Sequence, residues 1–526
     1  MLDNDIFEAY KDNGVTHLFA ISGMHIALFA GVIDKLLKLF KIKENKRLVS
    51  ISIFLVFYAF IIGFSSSIKR ALVFVICNTI NKIFKLNLKT IDILYIALSL
   101  LLITNRYLIY DIGFLYSAII SFGIIKYSQV VKSSSKLKES LKLSCLTFFF
   151  SLPLSLYFYY EVNFLGILNN LYYIPWISLV IYPLCLLTTL FHPISYILSP
   201  LINLTETITL FVSKIAIFKL VLRFSFLAVI IYYLILFLTL SKNRKYFFLI
   251  ALELSIIRIK PYFDSNAYIY YLDVSQGDSA VIITEHQKEV IILDTGGKLS
   301  YQKNEELKRN KEYHISANTI TFLKSLGINK VDKLILTHGD FDHMGEADYL
   351  IDNFTIKEVI FNCGSFNALE KDLIIKLDKK KIPYSSCIQE MDLKGNKLTF
   401  LNNGFYDNEN DNSIVSYLKL GNYTFLFMGD ASIKVEQDLL KKYNLKDIDI
   451  LKIGHHGSKT SSSKEFIDRV NPKYSIISVG KNNRYAHPND EVLDNLKNKT
   501  IFRTDIDGSI KFKILKDKLE IDYYKP

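Results

Sequence analysis

Long apolar runs alternate with short polar segments over the first half of the chain, and the pattern stops near residue 260. A run of about 17–25 apolar residues is long enough to cross a bilayer as a helix. We predict spans at 48–64, 68–84, 91–105, 108–126, 143–160, 167–191, 193–213, 225–241 and 245–259. The apolar segment 15–40 also holds polar residues, so it either spans or is partly re-entrant. The pattern predicts a polytopic α-helical membrane domain over residues 1–260.

From residue 261 to 526 the pattern changes to short β-rich runs separated by loops. AYIYYLDV, SAVIITE and EVIILDTGG are typical of strands, and KVEQDLLKKYN and SKEFIDRV are typical of helices. Strands outnumber helices, and helical stretches lie between them. We therefore predict an α/β domain with its sheets inside and its helices outside.

Composition supports this division. Half of the 526 residues are hydrophobic, which is too apolar for an ordinary soluble protein of this size.

Lys and Arg cluster in alternate loops, at 41–47, 82–89, 126–142 and 242–245. The positive-inside rule assigns those loops to the cytoplasm, so the last span ends outside and the α/β domain is predicted to be extracytoplasmic. The net charge of +12 permits nucleic-acid binding and is also explained by these topology signals.

The cysteines predict no disulfide framework. Three of the five lie in apolar segments, there is no CxxC pair, and Cys363 and Cys387 could pair only if the fold brings them close. The first residues lack the basic region and apolar core of a cleavable signal peptide.

Polar residues inside apolar spans are candidates for function, because they are costly in lipid. The channel candidates are His17, Ser22, His25 and Arg70. From spacing alone, helix packing is the simpler interpretation of the two histidines, and Arg70 can also extend toward the membrane surface.

Asp or His side chains follow five predicted strands of the α/β domain. The strand-end residues are Asp294, His338, Asp430, His455 with His456, and His487. The sequence THGDFDHMG adds Asp340, Asp342 and His343 on the same short turn as His338. Such a turn can direct nitrogen and oxygen ligands at one or two cations, and Asp430 could bridge two of them. A pair of metal ions about 3.5–4 Å apart suits phosphoryl chemistry.

The motif THGDFDHMGE, with DTGG upstream and FMGD downstream, resembles the metallo-β-lactamase superfamily. That superfamily folds as an αββα sandwich, which is therefore the expected fold. Its usual second motif is HxHxDH, and Asp340 stands here in place of the middle histidine. Aspartate in place of histidine favours harder ions such as Mn²⁺ over Zn²⁺.

Further motifs resemble the ComEC family of DNA-uptake proteins. In the second half these are DNSIVSYLKLGNYTFLFMGD, LKIGHHGS and NRYAHP. In the first half they are THLFAISGMHIALFAG, SIKRALVF, YDIGFLYSAIISFG and SLPLSLYFYYEVNFLGILNNLYYIP. The resemblance covers nearly the whole chain. Many members of the family begin with extra membrane helices and a small β-domain, whereas this sequence starts almost directly at THLFAISG. The expected explanations are a short form, a truncated gene or half of a split system.

The resemblance implies a plasma-membrane channel that passes single-stranded DNA into the cytoplasm during competence, and a nuclease domain that degrades the other strand. It implies two divalent metal ions, Mn or Zn. The matching ligand positions are His338, Asp340, Asp342, His343, Asp430 and His455. Asp294 matches the aspartate that orients the ligand turn from behind.

Other site roles remain open. The additional catalytic, phosphate-binding or ligand candidates are Lys452, His456, Ser458 and His487, besides Asp342 itself. Either His455 or His487 could be the distal ligand. The expected partners are membrane lipid, single-stranded DNA, an extracytoplasmic DNA receptor and a cytoplasmic helicase-type motor. The alternative functions are a membrane-anchored metallohydrolase of another substrate and a channel whose soluble domain binds DNA without cutting it.

Overall fold

A computed structural model describes residues 4–18, 23–213, 219–297, 314–516 and 518–525. The chain forms two compact units, which meet in sequence between Glu253 and Leu254. The predicted boundary at 260/261 lies a few residues later and stays a prediction. Each unit is described by itself.

The first unit is helical, as its apolar runs predict, because a helix satisfies its own backbone hydrogen bonds in lipid. Its helices are α1 (Asn4–Asp12), α2 (Gly23–Leu39), α3 (Glu44–Ile62), α4 (Ser66–Ile83), α5 (Thr90–Thr104), α6 (Ile112–Lys126), α7 (Ser128–Val131), α8 (Lys136–Phe158), α9 (Gly166–Trp176), α10 (Tyr182–Leu190), α11 (Ser195–Ser213), α12 (Phe226–Ser241) and α13 (Phe247–Ile259). A π-helical turn, Ile177–Ile181, joins α9 to α10 just after Pro175. Two short strands, β1 (Glu161–Asn163) and β2 (Lys219–Val221), pair antiparallel.

Each of the nine predicted spans coincides with a helical segment. In the described part of the chain, four segments are long and apolar enough to cross a membrane: Glu44–Ile62, Lys136–Phe158, Gly166–Leu190 and His192–Ser213. Three shorter apolar helices are Thr90–Thr104, Ile112–Lys126 and Phe226–Ser241. The full number of crossings therefore stays a prediction.

The second unit contains two large sheets. Its strands are β3 (Ala267–Tyr271), β4 (Ala280–Ile283), β5 (Val290–Leu293), β6 (Lys330–Val331), β7 (Lys333–Ile335), β8 (Thr355–Ile356), β9 (Val359–Phe361), β10 (Tyr384–Ser386), β11 (Glu390–Asp392), β12 (Lys397–Phe400), β13 (Ser416–Leu420), β14 (Tyr423–Phe427), β15 (Ile450–Lys452), β16 (Tyr474–Ile477), β17 (Thr500–Arg503), β18 (Ser509–Ile514) and β19 (Leu519–Tyr524). The first sheet has the order β10-β9-β7-β5-β4-β3-β18-β19, and the second has the order β11-β12-β13-β14-β15-β16-β17. In the first sheet β5, β7, β9 and β10 are parallel. In the second sheet β14 to β17 are parallel.

Helices connect the strands of the second unit. They are α14 (Ile315–Ser325), α15 (Phe341–Met344), α16 (Ala347–Asn353), α17 (Ala368–Lys380), α18 (Ile433–Lys442), α19 (Lys464–Val470), α20 (Asp490–Asn495) and α21 (Thr504–Asp507). One apolar core lies between the sheets, where Ile269 and Ile291 meet Phe425 and Ile450. Two outer cores join the first sheet to α14, α16 and α17 and the second sheet to α18, α19 and α20. The fold is therefore the expected αββα sandwich.

Cys363 and Cys387 form a disulfide, with their Cα atoms 4.4 Å apart. The sequence left this pair conditional on the fold, and the fold brings the two cysteines together. Because β9 and β10 are parallel neighbours, the residues that follow them come together at one edge of the sheet. The sequence did not reveal that β9 and β10 pair, because α17 lies between them in the chain.

Candidate metal centre

The predicted site residues lie at the carboxyl ends of parallel strands in both sheets. Asp294 follows β5 and His338 follows β7, while Asp430 follows β14. His455 and His456 follow β15, and His487 lies in the loop after β16. Since the two sheets pack face to face, these ends meet along one edge of the sandwich.

Several of these residues leave their strands in a strained conformation. Asp294, His455 and His456 have φ of 58°, 48° and 53°, in the left-handed region that few side chains occupy. Such conformations concentrate at functional sites, where the surrounding structure maintains them. Gly277 has φ of 125°, and a Cβ there would lie 2.1 Å from the Asp342 carbonyl oxygen. The loop before β4 can therefore approach the ligand turn only with glycine at this position.

The ligand turn is fixed by hydrogen bonds behind it. Asp294 accepts from the backbone N–H and the hydroxyl of Thr337, both at 2.7 Å. Its Oδ2 also lies 2.9 Å from Nδ1 of His343, which directs Nε2 of that ring into the site. On the other side, Asn367 Nδ2 donates to the Gly339 carbonyl at 2.7 Å. Asp294 thus contacts both Thr337 and His343, and its orienting role stays a prediction.

An inner group of donors surrounds Asp430. His343 Nε2 lies 3.1 Å from Asp430 Oδ1, and His456 Nε2 lies 3.7 Å from Asp430 Oδ2. His456 Nε2 is also 3.2 Å from Asp342 Oδ2. The Ser478 carbonyl lies 3.0 Å from His456 Nδ1 and orients the ring. Because Nδ1 of His343 and Nδ1 of His456 have these partners, Nε2 of each ring faces the carboxylates.

An outer group lies on the other side of Asp430. His338 Nε2 is 3.6 Å from Asp340 Oδ2 and 3.9 Å from Asp430 Oδ2. His455 Nε2 is 3.7 Å from Asp430 Oδ2. Ser413 and Thr337 hydroxyls lie 3.2 and 3.1 Å from Nδ1 of His338 and fix its ring. Oδ2 of Asp430 is thus approached by His338 and His455 of this group and by His456 of the inner group, and its bridging role stays a prediction.

Asp278 was not predicted from the sequence, yet it belongs to this cluster. Asp278, His343, Asp430 and His456 each offer a ligand atom within 4.8 Å of the others, and all four are buried. Asp278 lies 2.8 Å from Lys452 Nζ and 3.3 Å from His456 Nδ1. It precedes strand β4, whereas the sequence criterion was an Asp or His after a strand. The signal that could have found it is an acidic residue in a Gly-containing loop, QGDS.

The electrostatics of the inner group favour a cation. Burial opposes protonation of His343 and His456, but Asp430 and further carboxylates outweigh it and raise both pKa values, that of His456 to about 10. The same histidines outweigh the effect of burial on Asp430 and hold its pKa well below the usual range. Without a cation, protons must balance these carboxylates, and a divalent ion would displace them.

The donor atoms fit a divalent metal ion. Nε2 of His338, His343 and His456 and Oδ1 of Asp430 are buried without a hydrogen-bond partner of suitable geometry. Unsatisfied buried polar atoms are rare in folded proteins and require an explanation. Here all four converge on the same small volume, and imidazole with carboxylate is a common ligand set for Zn²⁺ and Mn²⁺.

Three predicted residues take positions that suggest different roles. His456, a catalytic candidate from the sequence, lies at the centre of the ligand cluster. Lys452, a candidate for phosphate binding, is buried and directed at Asp278 and the Ile453 carbonyl. The centroid of the His487 ring lies 6.0 Å from that of the His455 ring. The geometry favours His455 over His487 beside Asp430, and both assignments stay predictions.

The channel candidates of the first unit are packed together. His25 is buried with its ring centroid 4.5 Å from that of Tyr182. Arg70 is buried and donates to the Ser117 hydroxyl, and a Cβ on Gly23 would lie 2.9 Å from its guanidinium. The His25 contact joins α2 to α10, and the Arg70 contacts join α4 to α2 and α6. His17 lies in a short 3-10 helix, and Ser22 lies outside the described residues. The proposed channel roles stay predictions.

Comparison with known proteins agrees with this architecture. The family model described as "Competence protein" matches residues 1–245, and the one described as "Metallo-beta-lactamase superfamily" matches residues 272–481. "ComE operon protein 3" of Bacillus subtilis is 28% identical over 97% of this chain and 69% of its own length. "Recombination protein 2" of Haemophilus influenzae is 24% identical over 99% of this chain and 71% of its own. Among solved structures, the metallo-β-lactamase fold protein YhfI from Bacillus subtilis is 9% identical and covers 45% of this chain and 96% of its own, with a TM-score of 0.30.

The sandwich, with its buried cluster of His and Asp side chains at the strand ends, defines a metal-dependent hydrolase domain of the metallo-β-lactamase superfamily. A competence region followed by a metallo-β-lactamase domain in one chain identifies the family more specifically than either region alone. The chain belongs to the ComEC family of competence membrane proteins.

Proposed function

We propose that this protein takes up DNA during competence, with residues 1–260 passing a single strand and residues 261–526 hydrolysing phosphodiester bonds of the other. One observation carries the nuclease assignment: buried imidazole and carboxylate donors converge around Asp430 in a chain of the competence family. Nine predicted spans are more than an anchor requires, which favours transport over a simple membrane attachment.

We assign two cation positions that share Asp430. His343, His456 and Asp342 would hold the inner ion, and His338, Asp340 and His455 the outer one. When bound, two divalent ions would supply charge stabilisation to a phosphodiester under attack. Asp340 and Asp342 side chains are 46% and 31% exposed, so the phosphate would enter from their side. We propose Mn²⁺ rather than Zn²⁺, because Asp340 makes the outer position rich in oxygen.

The disulfide supports an extracytoplasmic position for the hydrolase unit. Disulfides persist in oxidising compartments and are rare in the cytosol. The alternating basic loops independently place the end of the last predicted span outside. DNA arriving at the cell would then meet the metal centre before it crosses the membrane.

The predicted spans and the proposed transport of DNA indicate which partners this protein contacts. Large apolar side chains on the predicted spans are exposed, including Phe60, Ile103 and Leu190, and lipid is their natural partner. We further propose a DNA receptor outside the membrane and a helicase-type motor inside it, on the resemblance to the ComEC family.

The nuclease assignment is tested with full-length protein in nanodiscs. Single-stranded DNA cleavage should disappear with EDTA and return with Mn²⁺, and Asp342→Ala should lower it by about 100-fold. Asp372→Ala, an exposed aspartate of α17, is the matched control. Activity restored by Zn²⁺ alone would overturn the metal preference. Cleavage that is unaffected by Asp342→Ala would overturn the site.

The transport assignment is tested in a competent host. Deletion of the gene should abolish transformation, and wild type should restore it. Normal transformation in the deletion strain would favour a metallohydrolase of another substrate. Full rescue by Asp342→Ala would show a channel that does not depend on cutting.

A further inference from the structure

A row of planar side chains leads from solvent to the metal centre along the loop after β16. The guanidinium carbon of Arg484 lies 4.8 Å from the centroid of the Tyr485 ring. The Tyr485 ring stacks on His487, with centroids 5.8 Å apart and planes 16° from parallel. The His487 ring in turn lies 6.0 Å from that of His455, beside Asp430. Tyr485 is 50% exposed, so part of its ring is open to solvent.

This loop is held in place by its own hydrogen bonds. The side-chain oxygen of Asn483 accepts from the backbone N–H of Tyr485 and of His487, at 3.1 and 3.0 Å. Its amide nitrogen donates to the carbonyls of Gly480 and His487. Gly480 N–H donates to Gln276 Oε1, and a Cβ on Gly480 would lie 2.7 Å from the Gln276 nitrogen. The tyrosine is therefore preorganised, which lowers the entropic cost of binding a ligand.

We propose that Tyr485 and Arg484 form a stacking subsite for an unpaired nucleobase next to the phosphodiester that is cut. This inference rests on the proposed nuclease function and names the form of its substrate. An aromatic ring beside a cation binds any base by its face, without reading sequence. In a duplex both faces of an internal base are covered by its neighbours. The subsite would therefore select single-stranded DNA or a frayed end.

The stacking geometry sets the size of the expected effect. Removing one base–aromatic stack weakens binding about 5- to 150-fold. Tyr485→Ala should raise the KM for single-stranded DNA about tenfold. Tyr485→Trp should retain the wild-type KM, because indole offers a stacking face at least as large. Tyr384→Ala is the matched control: Tyr384 is 40% exposed and begins parallel strand β10, at the end opposite the metal centre.

The experiment compares two strands with full-length protein in nanodiscs and Mn²⁺. One strand carries bases, and the other is an abasic phosphodiester backbone of the same length. We expect the wild type to show a lower KM for the strand with bases, and Tyr485→Ala to lose this advantage. An advantage that survives Tyr485→Ala, or equal losses on both strands, would overturn the stacking role and indicate a purely structural one.

A binding measurement separates this inference from the proposed function. A strand with 2-aminopurine is titrated with EDTA-treated protein, and stacking quenches its fluorescence. We expect quenching with wild type and Tyr485→Trp and none with Tyr485→Ala. If no strand is cleaved but Tyr485-dependent quenching is seen, the nuclease fails and the subsite stands. If DNA is cleaved without such quenching, the nuclease stands and the subsite fails.

Discussion

Asp278 lies between Lys452 Nζ at 2.8 Å and His456 Nδ1 at 3.3 Å, and all three residues are buried. In the metal-free protein Lys452 and His456 outweigh the effect of burial and lower the pKa of the Asp278 carboxyl, so it is ionised. A charge this deeply buried is tolerated only when it is paired. Asp278 therefore links the core of the sandwich to the ligand cluster.

We expect Asp278→Asn to destabilise the hydrolase unit by about 3–5 kcal/mol, because it leaves Lys452 buried without its partner. The double variant Asp278→Asn/Lys452→Met should recover part of this loss. Thermal unfolding of full-length wild type, both single variants and the double variant in EDTA measures the coupling. Additive losses would show that the two side chains do not depend on each other.

Glu370 supports the ligand turn from the start of α17. It accepts a hydrogen bond from the Asn367 N–H, and Asn367 in turn holds Gly339. Burial, aided by Glu409, raises the pKa of Glu370 to about 7. Between pH 4.5 and 7 the unfolded chain releases a proton that the folded protein keeps, so this residue lowers stability as pH rises.

Glu370→Gln should therefore be more stable than wild type in metal-free protein at pH 8 and equal to it near pH 4. The advantage should grow between pH 4.5 and 7 and then stay constant. Melting temperatures across this pH range test the prediction, with Glu465→Gln, an exposed residue of α19, as control. A difference that does not vary with pH would rule out titration of Glu370 as its cause.

At this scale the sequence predicted most members of the cluster but not their grouping. His338, Asp340, Asp342, His343 and Asp430 stand out in the sequence because metal-binding turns have a recognisable local spacing, and their roles as ligands stay predictions. The place of His456 inside the cluster depends on its left-handed φ and on the Ser478 carbonyl, which comes from a different strand. Asp278 and Lys452 depend on contact between loops of the two sheets, and such contacts have no local signature.

Secondary-structure elements followed the hydrophobic pattern closely. Strands β3, β4 and β5 lie where AYIYYLDV, SAVIITE and EVIILDTGG predicted them, and the nine apolar runs are helical. Which strands pair with each other was harder to predict from the sequence, because pairing depends on packing between distant segments. The disulfide between the ends of β9 and β10 is the clearest example.

Removing this disulfide should lower the stability of the hydrolase unit by about 3 kcal/mol, because it closes a loop of some two dozen residues in the unfolded chain. We expect Cys363→Ser/Cys387→Ser to melt at a lower temperature than wild type and to be insensitive to reductant. Cys185→Ala, which removes a free cysteine of α10, should keep the wild-type response to reductant. A wild type that reductant does not affect would contradict a stabilising disulfide.

The whole molecule combines a membrane region with a hydrolase on the outer side, if the alternating basic loops are cytoplasmic. Alkaline phosphatase fused after Pro526 should then be active, and a fluorescent protein fused there should be dark. A fluorescent protein fused within the basic loop 126–142 should fluoresce. The reverse pattern would place the metal centre in the cytoplasm and overturn the proposed order of cutting and transport.

The pairing of β18 with β3 has a consequence for the synthesis of this protein. Ile510 lies opposite Tyr271, so the first sheet of the hydrolase unit is completed by a strand that is translated long after β3. The apolar helices precede it and reach the insertion machinery while the sheet is still incomplete. The first sheet therefore stays incomplete until β18 has been translated, and until then β3 is an edge strand. A ribosome that stalls before β18 would leave this edge open to pairing with other chains.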